Sequence, residues 1–135
     1  MSPWHCFVVA LTLALSISQS SALFNRYHVY VVNGLANGTL TAHCQSKDDD
    51  LGFHYIPVNG NFMWSFRTNF LSTTLYFCHL WWAKLDAAFE VFNKDPKLRK
   101  FCGYTDCIWK AQVDGIYLSY NQKKRFEKWY NWTKV

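Results

Sequence analysis

Apolar residues along this chain recur at every second position in short bursts, with little of the three-and-four spacing that marks an amphipathic helix. Residues 27–33, YHVYVVN, are β-branched and aromatic and stop at Asn33-Gly34. Residues 39–44, TLTAHC, form a second burst, and Asn59-Gly60-Asn61 is a turn that introduces a third, FMWSFR, at 62–67. The longest run, TLYFCHLWW at 74–82, carries large apolar groups at both parities, so it predicts a central strand buried on each face. Residues 87–92, 107–113 and 116–120 complete the set, and Asp114-Gly115 between the last two is a strong hairpin signal. One short helix is expected over 95–100. The pattern predicts an all-β fold, a small antiparallel β-sandwich of about seven or eight strands with minimal helix. Repeats, low-complexity tracts and linkers are absent from the sequence, so it reads as one domain.

The first 22 residues are set apart by composition. They contain no Lys, Arg, Asp or Glu, residues 7–17 are almost unbroken apolar, and Ser20-Ser21-Ala22 ends the stretch in small residues. This predicts a secretory signal peptide over 1–22 and a secreted, extracellular domain over 23–135. A spanning helix needs about 20 apolar residues, which neither this run nor any later one supplies, so the mature protein is not expected to be embedded in a membrane. Removing the segment also removes Cys6 and leaves Cys44, Cys78, Cys102 and Cys107. An even count in an oxidising compartment predicts two disulfides, of unassigned pairing among three connectivities. Zinc is the competing use of cysteine, but the chain has no CxxC pair.

Charge is unevenly distributed. Residues 94–134 hold ten Lys or Arg against four Asp or Glu, whereas residues 23–93 hold four against five. The basic half could face an acidic partner, an anionic cell-wall polymer or a membrane surface, or simply be solvated. No nucleic-acid partner is expected, and the protein is expected to be a monomer.

The most unusual stretch is HCQSKDDDLG at 43–52, three aspartates beside a cysteine in an aromatic-rich chain. A calcium loop starting at Asp48 would need Gly at its sixth position and Glu at its twelfth, where Phe53 and Asn59 stand. Adjacent aspartates on a turn also point in different directions, unlike the paired carboxylates of a glycosidase. Burying three like charges without cations would exceed a small domain's whole stability. Lys47, Asp48, Asp49 and Asp50 are therefore expected on a solvated loop between strands, where Asp side chains cap backbone N–H groups. They are the candidate recognition loop, tethered to the core by Cys44. His43 and His79, in strands beside cysteines, read as packed, hydrogen-bonded residues; His28 and His54 carry no catalytic signal either. The sequence contains no Gly-x-Ser-x-Gly elbow, His-Glu-x-x-His or phosphate loop. The expectation is a binding protein without catalytic residues, cofactor or metal.

The same stretch closely resembles the signature of the plant self-incompatibility protein S1 family, the S-protein homologues. Val32-Asn33-Gly34-Leu35 resembles the family's N-terminal strand, FMWSF at 62–66 its aromatic segment, and TLYFCHLW at 74–81 its cysteine-bearing strand, with Leu80 for the usual Phe. FEVF at 89–92, Cys102, Cys107-Ile108-Trp109, Asp114-Gly115-Ile116-Tyr117 and Tyr130-Asn131-Trp132 follow in the family's order, and Gln45 replaces a common Lys. The resemblance implies a secreted, disulfide-bonded β-sandwich with no enzymatic activity known for the family. It further implies a signalling ligand read by a cell-surface membrane receptor through loops of the sandwich, since founding members act on the pistil side of pollen rejection and trigger calcium signalling. The alternative is a carbohydrate- or wall-binding module using exposed aromatics, with Trp129 and Trp132 as its candidates. Asn37-Gly38-Thr39 and Asn131-Trp132-Thr133 are N-glycosylation sequons. Asn37, in a predicted turn, is the favoured acceptor over Asn131, which lies in an aromatic segment.

Overall fold

The computed structural model describes residues 26–68, 71, 73–121 and 124–135. The expected signal segment, 1–22, lies outside the described residues. In chain order the elements are β1 (Arg26–Asn33), β2 (Leu40–Gln45), β3 (Asp50–Ile56), β4 (Asn61–Arg67), β5 (Tyr76–Trp82), β6 (Leu85–Phe92), α1 (Pro96–Phe101), β7 (Asp106–Gln112), β8 (Gly115–Ser119), β9 (Phe126–Tyr130) and β10 (Thr133–Lys134). They form two five-stranded sheets, ordered β4-β1-β7-β8-β9 and β10-β6-β5-β2-β3.

The expected sandwich is therefore present, with two differences. Among the described residues ten strands replace seven or eight, because β3, β9 and β10 give little alternation. β3 is interrupted by Gly52 in the left-handed region (φ +79°), and β10 is two residues long. The pairing is also not wholly antiparallel: β1 and β7 run parallel, with Val29 opposite Cys107 and Val31 opposite Trp109. The chain visits the second sheet between them and returns in the same direction, which no hairpin signal can announce.

Alternation places one face of each strand inside. β1 buries Tyr27, Val29, Val31 and Asn33, and β2 buries Leu40, Ala42 and Cys44. Trp109 of β7 is fully buried and donates its indole N–H to the Val91 carbonyl of β6 (3.0 Å), a polar tie between the sheets. Each large apolar side chain withdrawn from water in this way contributes about 1.5–3 kcal/mol. A bulge between Ile116 and Tyr117 in the β8–β9 ladder lets consecutive Trp129 and Tyr130 both approach Trp109, at 5.7 and 5.8 Å between ring centroids.

The central position of 76–82 is confirmed, since β5 is the middle strand of its sheet. Burial on both faces is not. Phe77 is 38% exposed, and His79 and Trp81 are half-buried. These outward rings shield one another instead: His79 stacks on Trp81 at 3.8 Å, and Phe53 of β3 lies 6.0 Å from Trp81. The helix falls where expected. Asp95 is its N-cap, its carboxylate accepting from Lys97 N at 3.0 Å, Pro96 opens the first turn, and Leu98 and Phe101 point into the core.

Both disulfides are formed, and their pairing is Cys44–Cys78 and Cys102–Cys107. Cys44 and Cys78 face each other across the β2–β5 ladder, with Cα atoms 4.0 Å apart. The second bridge is local, from the C-cap of α1 to β7.

Candidate functional site

Strands β2 and β3 run antiparallel, and the acidic stretch is the passage between them. Its geometry is over-determined by short bonds. Ser46 N donates to the Asp49 carbonyl at 2.7 Å, and Asp49 N donates to the Ser46 hydroxyl at 3.1 Å. One Asp50 carboxylate oxygen accepts from Gly52 N at 2.9 Å and from His43 Nε2 at 2.8 Å. The Gly52 N–H, followed by the His43 imidazole, holds the Asp50 carboxyl below the usual carboxylate range. Cys44, one residue after His43, is bonded to Cys78, so the loop springs from a covalently clamped strand end.

The three aspartates therefore divide. Asp50, expected on the loop with the other two, is instead the first residue of β3, and its carboxylate belongs to the turn's internal bonding. Asp48 and Asp49 are exposed, and their carboxylates take no part in the bonds that shape the turn. Lys47 is exposed beside them.

The loop forms one wall of a shallow cavity of about 700 Å³. Opposite stand Arg67 at the end of β4, Thr74, and Tyr76 and Phe77 at the start of β5. Burial, and then the Asp49 carboxylate, push the Tyr76 hydroxyl above its ordinary range. The recess thus offers two carboxylates, two cations and an aromatic floor. That set suits recognition of a shaped, charged partner. Arg67, Tyr76 and Phe77 lie far along the chain from the loop, and no local pattern connects them to it.

His43, His54 and His79 are held as structural partners. His79 Nε2 lies 2.7 Å from Asp86, and His54 bonds the Leu51 carbonyl at 2.8 Å while stacking on Phe62. Among the described residues no group of three or more His, Cys, Asp or Glu is placed to hold a metal. Likewise no described helix is long and apolar enough to cross a membrane. Trp129 and Trp132, the candidates for sugar stacking, are packed: Trp129 against Phe101 and Trp109, and Trp132 with its indole N–H on the Gln112 carbonyl at 2.7 Å. Both sequon asparagines, Asn37 and Asn131, have exposed side chains, although Tyr130 and Trp132 on either side of Asn131 are half-buried.

The molecule is thus a two-sheet sandwich with two buried disulfides and an acidic turn shaped by its own hydrogen bonds. The model of the plant self-incompatibility protein S1 family matches residues 28–132, and the chain belongs to that family. It is 30% identical to S-protein homolog 3 of Arabidopsis thaliana over 95% of this chain and 90% of the relative, and 40% identical to S-protein homolog 1 over 70% of this chain and 63% of the relative. The fold is similar, at a TM-score of 0.65 and 20% identity, to a solved structure of self-incompatibility protein homologues, described as a widespread family of small, highly stable, secreted plant proteins. That likeness covers 82% of this chain and 97% of the solved one. S-protein homologues are not known as enzymes.

Proposed function

We propose that the protein is a secreted, non-enzymatic signalling ligand, read by a cell-surface membrane receptor through the loop bearing Lys47, Asp48 and Asp49. The observation that carries this reading is the division within the acidic run. One carboxylate and two backbone bonds fix the turn, and the two exposed carboxylates are left to solvent above a charged, aromatic recess. Display of charge on a loop that costs little entropy to hold suits fast, specific association with a basic receptor surface. The N-terminal segment, 1–22, supports secretion as its cleaved signal, and the relatives described as secreted point the same way. Rejection of self pollen is one setting for such a ligand, named by the family and not by any residue of this chain.

The test is to apply refolded residues 23–135 to plant cells, pollen included, and record cytosolic calcium with a fluorescent reporter. The expected result is a transient that Asp48→Asn with Asp49→Asn weakens without changing the melting temperature. A transient equally strong with the double variant removes the loop from recognition. No response in any cell type that binds the labelled protein removes the signalling role.

A further inference from the structure

The outer face of the first sheet carries a row of side chains that the loop-mediated reading does not use. Lys110 of β7, Tyr117 of β8 and Lys128 of β9 are direct neighbours across three strands. All three point away from the core, because Trp109 and Ala111 flank Lys110 as buried residues, and Ile116 and Leu118 do the same for Tyr117. Adjacent strands lie about 4.8 Å apart, so the two lysine backbones stand about 10 Å apart with a tyrosine ring between them.

Both lysine stems lie over glycines. A Cβ placed on Gly34 would stand 2.6 Å from Lys110 Cε, and one on Gly115 would stand 2.6 Å from Lys128 Cε. Each stem therefore runs over a glycine, in space that any side chain would fill. The Lys110 ammonium also lies 5.0 Å from the Phe126 ring. Of the carboxylates near the row, Asp114 accepts a hydrogen bond from the Tyr117 hydroxyl at 2.6 Å, and Glu127, next to Lys128 in sequence, is paired with the core residue Leu118. Two lysines on the strands either side of Tyr117 therefore share one outer face, in the half of the chain that carries ten Lys or Arg against four Asp or Glu.

We propose that Lys110, Tyr117 and Lys128 form a binding site for an acidic polysaccharide of the polyuronate class. Sugar-ring carboxylates spaced along one side of the polymer pair with the two ammonium groups, and the intervening pyranose lies against Tyr117. Charge complementarity selects an anion, and two lysines set on the strands either side of Tyr117 suit an anion of regular spacing. A membrane surface fits less well. Insertion needs free apolar groups beside the cations, whereas the flanking rings here are half-buried, and Phe126 already lies beneath the Lys110 ammonium. The site lies on the opposite sheet from the strands β2, β3 and β5 that frame the acidic loop, so it stands whether or not a receptor reads that loop.

The test is titration of the mature protein with de-esterified galacturonan oligomers, with fully methyl-esterified oligomers as the neutral counterpart. The expected result is saturable binding of the acidic oligomer only, weakened at least about tenfold by Lys110→Gln with Lys128→Gln, equal to about 1.4 kcal/mol. Lys84→Gln with Lys134→Gln removes the same charge from the β5–β6 turn and β10, on the side of the other sheet, and should leave binding within about twofold. Lys110→Arg with Lys128→Arg should retain it. Equal weakening by the two glutamine pairs would reduce the effect to overall charge and overturn the site. So would equal binding of the neutral oligomer, no binding at all, or tighter binding to phosphatidylserine vesicles that depends on the same two lysines. Should the Lys110/Lys128 glutamine pair fail to fold, amide shifts of the unaltered protein decide. Oligomer-induced shifts must map to β7, β8 and β9, and shifts confined elsewhere refute the proposal.

Discussion

The two disulfides make a controlled comparison, because their four sulfurs are equally and fully buried while the loops they close differ greatly. Cys44–Cys78 spans 34 residues and Cys102–Cys107 spans 5. If a bridge stabilises mainly by restricting the unfolded chain, these loops are worth about 4 and about 2 kcal/mol respectively. Replacing each pair with alanine removes the same atoms from sites of 0% exposure, so the packing loss is similar and largely cancels between the two variants. Cys44→Ala with Cys78→Ala should therefore cost about 2 kcal/mol more than Cys102→Ala with Cys107→Ala. Guanidinium unfolding followed by tryptophan fluorescence under non-reducing conditions gives both values, with the slope as a check that the unfolded states are comparable. For a domain of this size the same difference is about 8 °C in melting temperature. Equal losses, or a larger loss from the local bridge, would refute the chain-entropy argument. They would show that Cys102–Cys107 acts by fixing the docking of α1 against β7. The unaltered protein, denatured without reductant, should show no free thiol.

Three further outcomes follow from the geometry. Asp50→Asn should lower the melting temperature at neutral pH, while Asp48→Asn with Asp49→Asn should not; because the folded Asp50 carboxyl titrates below its ordinary range, its contribution is complete above that range and disappears as pH falls through the depressed value, so a gap between wild type and Asp50→Asn that persists at the lowest pH would contradict the capping role. Asn33→Ala strips a fully buried amide that donates to the Gly38 and Ile56 carbonyls (3.1 and 2.9 Å) and accepts from Leu35 N (2.9 Å), and should cost about 3 kcal/mol in a urea titration; a loss below about 1 kcal/mol would mean that water or the backbone replaces those bonds. Glycosidase treatment of protein secreted from plant cells should reduce its mass, and Asn37→Gln should remove most of that change.

What could be read from the chain depended on how local the cause was. β1 and β2 were legible because each buries every second residue, and α1 because Asp95 and Pro96 announce its start. The division of the acidic run was half legible. Charge alone put Asp48 and Asp49 in water, but assigning Asp50 to β3 requires His43 seven residues earlier, and a ladder register that shifts between His43 and Gln45. Aromatic content misled in two places for one reason. Trp129 and Trp132 look available to a ligand in sequence, yet the β8–β9 bulge turns Trp129 inward and the Gln112 carbonyl captures Trp132. Phe77 and Trp81 look buried, yet the outer face of their sheet is open.

The lysine row shows why such features escape a linear reading. Lys110 and Tyr117 are brought together by a hairpin that Asp114-Gly115 does predict, and a mirror of that register would place the same residues on the core side. Lys128 joins them only because the bulge skips Trp129, so that Tyr117 meets Lys128 while Ile116 meets Tyr130. Without that bulge, strict alternation from Ile116 and Tyr130 would set Trp129 opposite Tyr117 on the solvent side and turn Lys128 toward the core. One irregularity in the ladder therefore both completes the aromatic core around Trp109 and sets the second cation on the outer face. Deleting Trp129 removes the bulged residue and leaves Ile116 opposite Tyr130 and Tyr117 opposite Lys128, so it should cost stability through the ring lost against Phe101 and Trp109 while keeping acidic-polymer binding, whereas Lys128→Gln should cost only the binding. Melting curves and oligomer titrations on the two variants separate these outcomes, and a folded deletion variant that no longer binds the oligomer would show that the ladder register does not set Lys128 beside Tyr117.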